Sequence, residues 1–183
     1  MLNKTDEQLM LLIQNENSRA FGILLKRYLS RALAHADNLV GSASDDIVQE
    51  TFENIWKFAN SFNPEKAQFN TWFYTILNNK CYNYIKKEYS IKREDFDKIA
   101  ESLICDKQSA EESIIKKENS NHINNLIKGL NPREQQAIIL RYFQEKSNKE
   151  TADIMNTSIK AIETLLIRAR KKLKYQLSKN KGN

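Results

Sequence analysis

Between Pro64 and Gly129 the chain carries neither proline nor glycine. Proline and glycine are the strongest local punctuation of a fold, and a long stretch without either favours helices. The whole sequence has only 4 Gly and 2 Pro, too few for a loop-rich β architecture. An all-α fold is therefore expected. A chain of 183 residues makes one ordinary domain or two small ones. Hydrophobic residues at 40% and charged residues at 28% give a globular balance rather than a disordered one. No segment approaches the ~18–20 apolar residues of a membrane span. The N-terminus has no apolar signal core. A cytoplasmic location without direct membrane insertion is expected.

Reactive side chains are scarce. Cys81 and Cys105 lack metal-ligand spacing, and His35 and His122 stand alone. No Gly-rich phosphate loop, metal constellation or nucleophile–base pair is visible. The sequence thus argues against an enzyme, and no cofactor or metal is expected.

Apolar periodicity and capping residues set out the helices. Thr5 caps a short helix over 5–15. A second runs from Ser18 to Leu39 and is broken by Gly41. Ser42 to Asp45 reads as a capping box that opens a third, to about Ala59. Its apolar stripe is Val48, Phe52, Ile55, Trp56 and Ala59. A turn over 60–64 precedes an aromatic helix that opens at Asn70 or Thr71 and ends near Lys87 or Tyr89. Residues 90–112 alternate charges of both signs, which fits either a mobile linker or a solvated helix. A helix over 113–128 ends at Gly129. Asn131-Pro132 starts another that reaches Phe143, with Ala137, Ile138, Leu140 and Tyr142 for burial.

Charge is divided along the chain. Residues 131–183 hold 12 Lys+Arg against 5 Asp+Glu, whereas 1–130 hold 17 against 18. The basic excess lies wholly in the C-terminal piece, as in a nucleic-acid-binding end joined to a part with other duties. In that piece Ser147 and Glu150 form a capping-box pattern for a short helix. Asn156 suits a left-handed turn, and Ser158 caps a long final helix. Ala152 allows the two helices to cross closely. This is a helix-turn-helix. Ser158, Lys160, Ala161, Glu163 and Thr164 on the second helix suit base edges in a major groove. Arg168, Arg170, Lys171, Lys172 and Lys174 suit phosphates.

Two faces of the N-terminal part have open readings. Asp45, Asp46, Gln49, Glu50 and Glu53 line the outer side of the third helix, either as a solvated face or as a dock for a basic protein surface. On the aromatic helix Trp72, Thr75, Asn79, Asn83 and Lys86 share a stripe. It is either core packing with a polar outer face or a platform for unstacked bases.

The run Asp45-Asp46-Ile47-Val48-Gln49-Glu50-Thr51-Phe52, then Ile55-Trp56, then Phe69-Asn70-Thr71-Trp72-Phe73-Tyr74 and Asn78-Asn79, resembles the second conserved region of bacterial sigma factors. Leu130 to Glu134, Leu140-Arg141-Tyr142, Glu150-Thr151-Ala152 and Arg168 to Leu173 resemble their fourth region. With these two regions and a short linker, the chain is similar to the extracytoplasmic-function group. The resemblance spans about residues 18–178. It implies two small helical domains, 1–89 and 113–183, joined by a flexible linker over 90–112. The second domain is the helix-turn-helix.

The resemblance also implies an alternative sigma factor that binds core RNA polymerase and promoter DNA, both duplex and single-stranded. An anti-sigma factor is an implied further partner. Asp45, Asp46, Gln49, Glu50 and Glu53 would dock on the clamp helices of the largest polymerase subunit. Residues 62–68, among them Phe62, Asn63 and Gln68, would line a pocket for a flipped −10 base. Trp72, Asn79, Asn83, Lys86 and Lys87 would hold the non-template strand. Ser158, Lys160, Ala161, Glu163, Thr164, Arg168 and Lys171 would meet the −35 element. The chain departs from the family pattern at Thr151, Asn156, Thr157, Leu165 and Ile167. The two threonines imply looser packing of the first motif helix. Leu165 and Ile167 put apolar surface on the recognition helix, which implies weaker −35 binding or an inhibitor contact. The competing reading is a helix-turn-helix regulator that acts without being a polymerase subunit.

Overall fold

The computed structural model describes residues 3–99, 123 and 125–180. Among them there is no strand. Seven helices follow in order: α1 Asp6–Ile13, α2 Ser18–Val40, α3 Ser44–Lys57, α4 Phe69–Ile99, α5 Pro132–Ile138, α6 Asn148–Ile154 and α7 Ile159–Asn180. Helices α1 to α4 build a first unit around Leu24, Phe52, Ile55, Phe69, Phe73 and Leu77, all buried. Each such side chain contributes about 1.5–3 kcal/mol of burial. Helices α5 to α7 build a second around Ile139, Leu140, Ile154, Ile162, Leu166 and Ala169.

Most boundaries follow from capping chemistry. The Thr5 hydroxyl accepts from the Gln8 amide, and Gln8 returns the bond to complete a capping box. Asn131 and Glu134 form a second box, with Pro132 in the first turn where no amide partner is needed. Ser147 and Glu150 form a third. Glu150, with its carboxylate accepting from the Ser147 backbone and hydroxyl, is held below the usual carboxylate range.

The structure corrects four sequence expectations. Ser42 and Asp45 make no capping box: a 3-10 turn over Gly41–Ala43 leads into α3, which has no side-chain cap. Gly41, at φ 62, uses a left-handed backbone that favours glycine. Trp56 is 37% exposed at the rim of a groove between α2 and α3, whereas Ile47 and Thr51, outside the expected stripe, are buried. Tyr142 is also exposed while Ile139 is buried, since the helix widens into a π turn over Ile139–Phe143 and rotates the register. Helix α4 runs to Ile99, so 90–99 are helical, in line with the solvated-helix reading. The rest of the linker, and most of the helix expected over 113–128, lie outside the described residues. Residues 125–128 are helical.

The two units meet along α4. The Gln136 amide donates to the Asn78 backbone carbonyl at 2.8 Å, and the Tyr74 hydroxyl donates to Gln144 Oε1 at 3.3 Å. Lys146 Nζ lies 5.3 Å from the Tyr74 ring centre, and the Arg133 guanidinium lies 5.7 Å from that of Tyr82. Glu145, at φ 52, makes the left-handed turn between Gln144 and Lys146.

Candidate protein and nucleic-acid interfaces

Three surfaces stand out. The first is the outer face of α3. Asp45, Asp46, Gln49, Glu50 and Glu53 are all exposed there. Three of the five are held by neighbours. Glu50 is 2.7 Å from Lys80 of α4. Gln49 donates to Glu53 Oε1 at 3.1 Å, and Lys57 lies 3.6 Å from the same carboxylate. The Gln49 bond, then the Lys57 charge, hold the Glu53 carboxyl below its ordinary range. This acidic row borders an apolar groove of about 680 Å³ between α2 and α3. Its walls are Phe21, Leu25, Leu29, Leu33, Val48, Phe52 and Trp56. Phe21 meets Trp56 edge-on at 5.2 Å. Sequence reasoning missed the α2 wall. The signal was present: Leu25, Leu29 and Leu33 repeat every four residues, beside the Leu24, Tyr28 and Ala32 stripe that fills the core.

The second surface is the segment over 58–68 and the start of α4. Helix α1 positions it. Gln14 Nε2 donates to the carbonyls of Ala59 at 3.1 Å and Phe62 at 2.9 Å. Glu7 accepts from the Phe69 amide at 3.1 Å, satisfying a free donor at the start of α4. Phe62 is buried, packed on Phe69 at 5.9 Å and Trp72 at 5.3 Å, so it forms the floor of this corner rather than its lining. Trp72 and Asn63 are half-buried. Gln68, Asn79, Asn83, Lys86 and Lys87 are exposed. Asn79, Asn83 and Lys86 follow one another along the outer side of α4. Gln14 and Glu7 escaped sequence reasoning because they act from more than 40 residues away.

The third surface is the helix-turn-helix. Asn156 takes φ 47, the left-handed turn its residue type suited. The Thr157 amide donates back to Ala152 at 2.9 Å, and the Ser158 hydroxyl accepts from the Ala161 amide at 3.2 Å. Ile162, Leu166 and Ala169 are buried. Ser158, Lys160, Glu163, Thr164, Arg168 and Lys171 are exposed on α7, and Ala161 is half-buried. The predicted phosphate cluster is smaller than its lysines and arginines suggest. Lys172 Nζ reaches both carboxylate oxygens of Glu134, at 2.8 and 3.0 Å, and Glu134 is 1% exposed. Lys172 is a structural cation that ties α7 to α5. Arg170 turns its Nε back to the Leu166 carbonyl at 3.2 Å. Leu165 is half-buried, whereas Ile167 is 60% exposed on the outer side of α7. Thr151 is fully buried and its hydroxyl has no partner.

Among the described residues there is no group of side chains able to hold a metal ion, and no helix is long and apolar enough to cross a membrane. Burial pushes the Cys81 thiol up to about 12, so it remains a protonated core side chain.

Comparison with known proteins matches both units. Residues 24–90 match the model of sigma-70 region 2, and residues 121–173 match that of sigma-70 region 4. The chain is 30% identical over 175 residues to the RNA polymerase sigma factor NccH of Alcaligenes xylosoxydans xylosoxydans, covering 92% of each. It is 25% identical to the extracytoplasmic-function sigma factor SigW of Bacillus subtilis, over 90% of this chain and 92% of that one. Among solved structures, the complex of CnrH with the cytosolic domain of CnrY is similar at a TM-score of 0.66, with 26% identity over 94% of this chain and 97% of that chain. CnrH is a sigma factor of Cupriavidus metallidurans. The two regions, in order and across nearly the full length of such relatives, settle the family: the chain belongs to the sigma-70 family of RNA polymerase sigma factors, in the extracytoplasmic-function group.

Proposed function

We propose that this sigma factor docks on core RNA polymerase through the α3 face and its flanking groove, and reads a promoter at two separate places. The observation that carries the reading is the pairing of an exposed acidic row with an apolar groove on one side of the first unit. An apolar centre with a charged rim is the anatomy of a protein–protein interface, not of a solvated helix face. Asp45, Asp46, Gln49, Glu50 and Glu53 supply the rim, which suits a basic helical partner such as the polymerase clamp.

The single-strand role falls to the corner below Trp72 and to the outer side of α4. Trp72 gives a flat face over an aromatic floor, while Asn63 and Gln68 supply hydrogen bonds beside it. Asn79, Asn83, Lys86 and Lys87 supply amides and cations along the backbone path. Unstacking a base costs a few kcal/mol, which a preformed corner offsets. Duplex reading falls to α7. Ser158, Lys160, Ala161, Glu163 and Thr164 face base edges, and Arg168 and Lys171 face phosphates. Two weak contacts on one polymerase then act at high effective concentration.

As a DNA-recognition subunit the chain needs no catalysis of its own, and its site of action is the cytoplasm. An anti-sigma partner would compete for the same groove. The test is in vitro transcription with core polymerase on a randomised promoter library. Transcripts should start at a fixed distance from two enriched elements. Transcripts indistinguishable from those of core polymerase alone would reject the reading.

A further inference from the structure

Beneath the contact between the units lies an unusual set of buried polar groups. His35 on α2 is fully buried, and neither ring nitrogen has a hydrogen-bond partner. Its ring meets Tyr74 edge-on at 5.4 Å. The Asn78 side chain is buried too, with both polar atoms unpartnered. Above them the second unit closes the seam. Gln136 binds the Asn78 carbonyl, Gln144 binds the Tyr74 hydroxyl, Lys146 covers the Tyr74 ring, and the π turn packs on α2.

The charges around His35 offer a proton no counter-ion. Lys146 comes from the second unit, and Arg31 lies one turn away on α2. Tyr74 is a buried phenol, held neutral by that burial. On α1, Asp6 is engaged two turns away by Arg27 and Tyr28. The α3 carboxylates face outward. Arg141 on the π turn is a further cation. A protonated His35 would be a buried charge with only the neutral Asn78 amide to favour it and no counter-ion, next to the lysine that closes the seam.

Closure also obstructs the reading surfaces. A cleft of about 700 Å³ has Gln68, Thr71 and Trp72 on one wall and Glu150, Asp153 and Thr157 on the other. Lys66 and Lys149 lie at the same cleft. Two carboxylates thus face the corner where a strand would lie. Thr157, just before the recognition helix, shares the cleft with Trp72. Elements about 25 base pairs apart are roughly 85 Å apart in duplex form. The closed chain spans nothing like that distance.

We infer that the α4 seam is a proton-sensitive latch, which keeps the free chain closed while His35 is neutral and releases the second unit when His35 is protonated. Its consequence at a promoter rests on the function proposed above; the latch itself does not. Burial lowers the His35 pKa from 6.5 to about 4 in the closed form. The closed form therefore binds fewer protons than an open form with a solvated His35. Closure is fully favoured above pH 6.5 and weakens as the pH falls toward 4. Between pH 7.5 and 5.5 the closed-to-open ratio falls about tenfold.

Small-angle X-ray scattering of the full chain, with circular dichroism, tests this without polymerase or DNA. At pH 7.5 the radius of gyration should be near the ~16 Å of a compact chain of this length. With the closed form about tenfold favoured at pH 7.5, the two forms are about equal at pH 5.5, so the radius of gyration should grow by several Å while helicity is unchanged. His35→Leu should stay compact at both. Arg133→Ala combined with Lys146→Ala should be expanded at pH 7.5. An expanded chain at pH 7.5, equal compactness at both pH values, acid loss of helix instead of expansion, or a compact double variant would each overturn the latch. Should His35→Leu fail to fold, the double variant and the pH series still decide. Failure of polymerase binding would overturn only the proposed function.

Discussion

Lys172 and Glu134 form a buried-edge ion pair that joins the last helix of the second unit to its first, with both carboxylate oxygens within 3.0 Å of the ammonium. Glu134 is 1% exposed and also closes the Asn131 capping box, so the pair serves the fold. It sets one structural cation apart from the exposed Arg168 and Lys171 of the same helix, for which DNA contact is proposed.

That separation is measurable. Arg168→Ala and Lys171→Ala should each reduce the salt slope of duplex binding by about one, because each removes a phosphate contact. Lys172→Ala should leave the slope unchanged and cost about 2 kcal/mol of stability in denaturant titration. Lys160 and Glu163 substitutions should change base preference rather than slope. Equal slope changes at all three basic positions would refute the division.

Thr151 carries a buried hydroxyl with no partner on the first helix of the motif. An unmet buried hydroxyl costs about 1–3 kcal/mol. Thr151→Val keeps the shape and removes the hydroxyl. It should raise the denaturation midpoint, by the equivalent of roughly 1 kcal/mol, and leave duplex affinity unchanged. A lowered midpoint would mean that the hydroxyl is satisfied in solution.

Gln14 holds the corner below Trp72 by two carbonyls, at 3.1 and 2.9 Å. Gln14→Ala should leave polymerase binding intact and reduce open-promoter formation by about 30-fold, read with a permanganate footprint, since two hydrogen bonds of about 1 kcal/mol each are lost. Unchanged footprinting would remove the corner from the proposed mechanism.

The sequence carried the helices whose ends are written in short-range chemistry. Thr5, Asn131, Ser147 and Asn156 each announce a local geometry, and the structure has all four. It failed where a neighbour decides. Trp56 and Tyr142 fit an apolar stripe in one dimension, yet Trp56 stops at the rim of the α2–α3 groove against Phe21, and the π turn rotates Tyr142 outward. Ser42 and Asp45 had the right spacing for a cap, but Gly41 had already turned the chain into a 3-10 step. The acidic face of α3 could be read from its own residues; the groove beside it could not, because half of its wall belongs to α2. Nor could Lys172 be told from Lys171 without seeing Glu134.

Docking of the α3 face on core RNA polymerase is the proposal on which the promoter roles depend. The most direct measurement is co-purification of the full chain with core polymerase, comparing the native sequence with a Gln49→Ala/Glu50→Ala variant. The native chain should co-purify and the variant should be lost, while duplex binding by the variant's second unit persists. Undiminished co-purification of the variant would contradict the proposal.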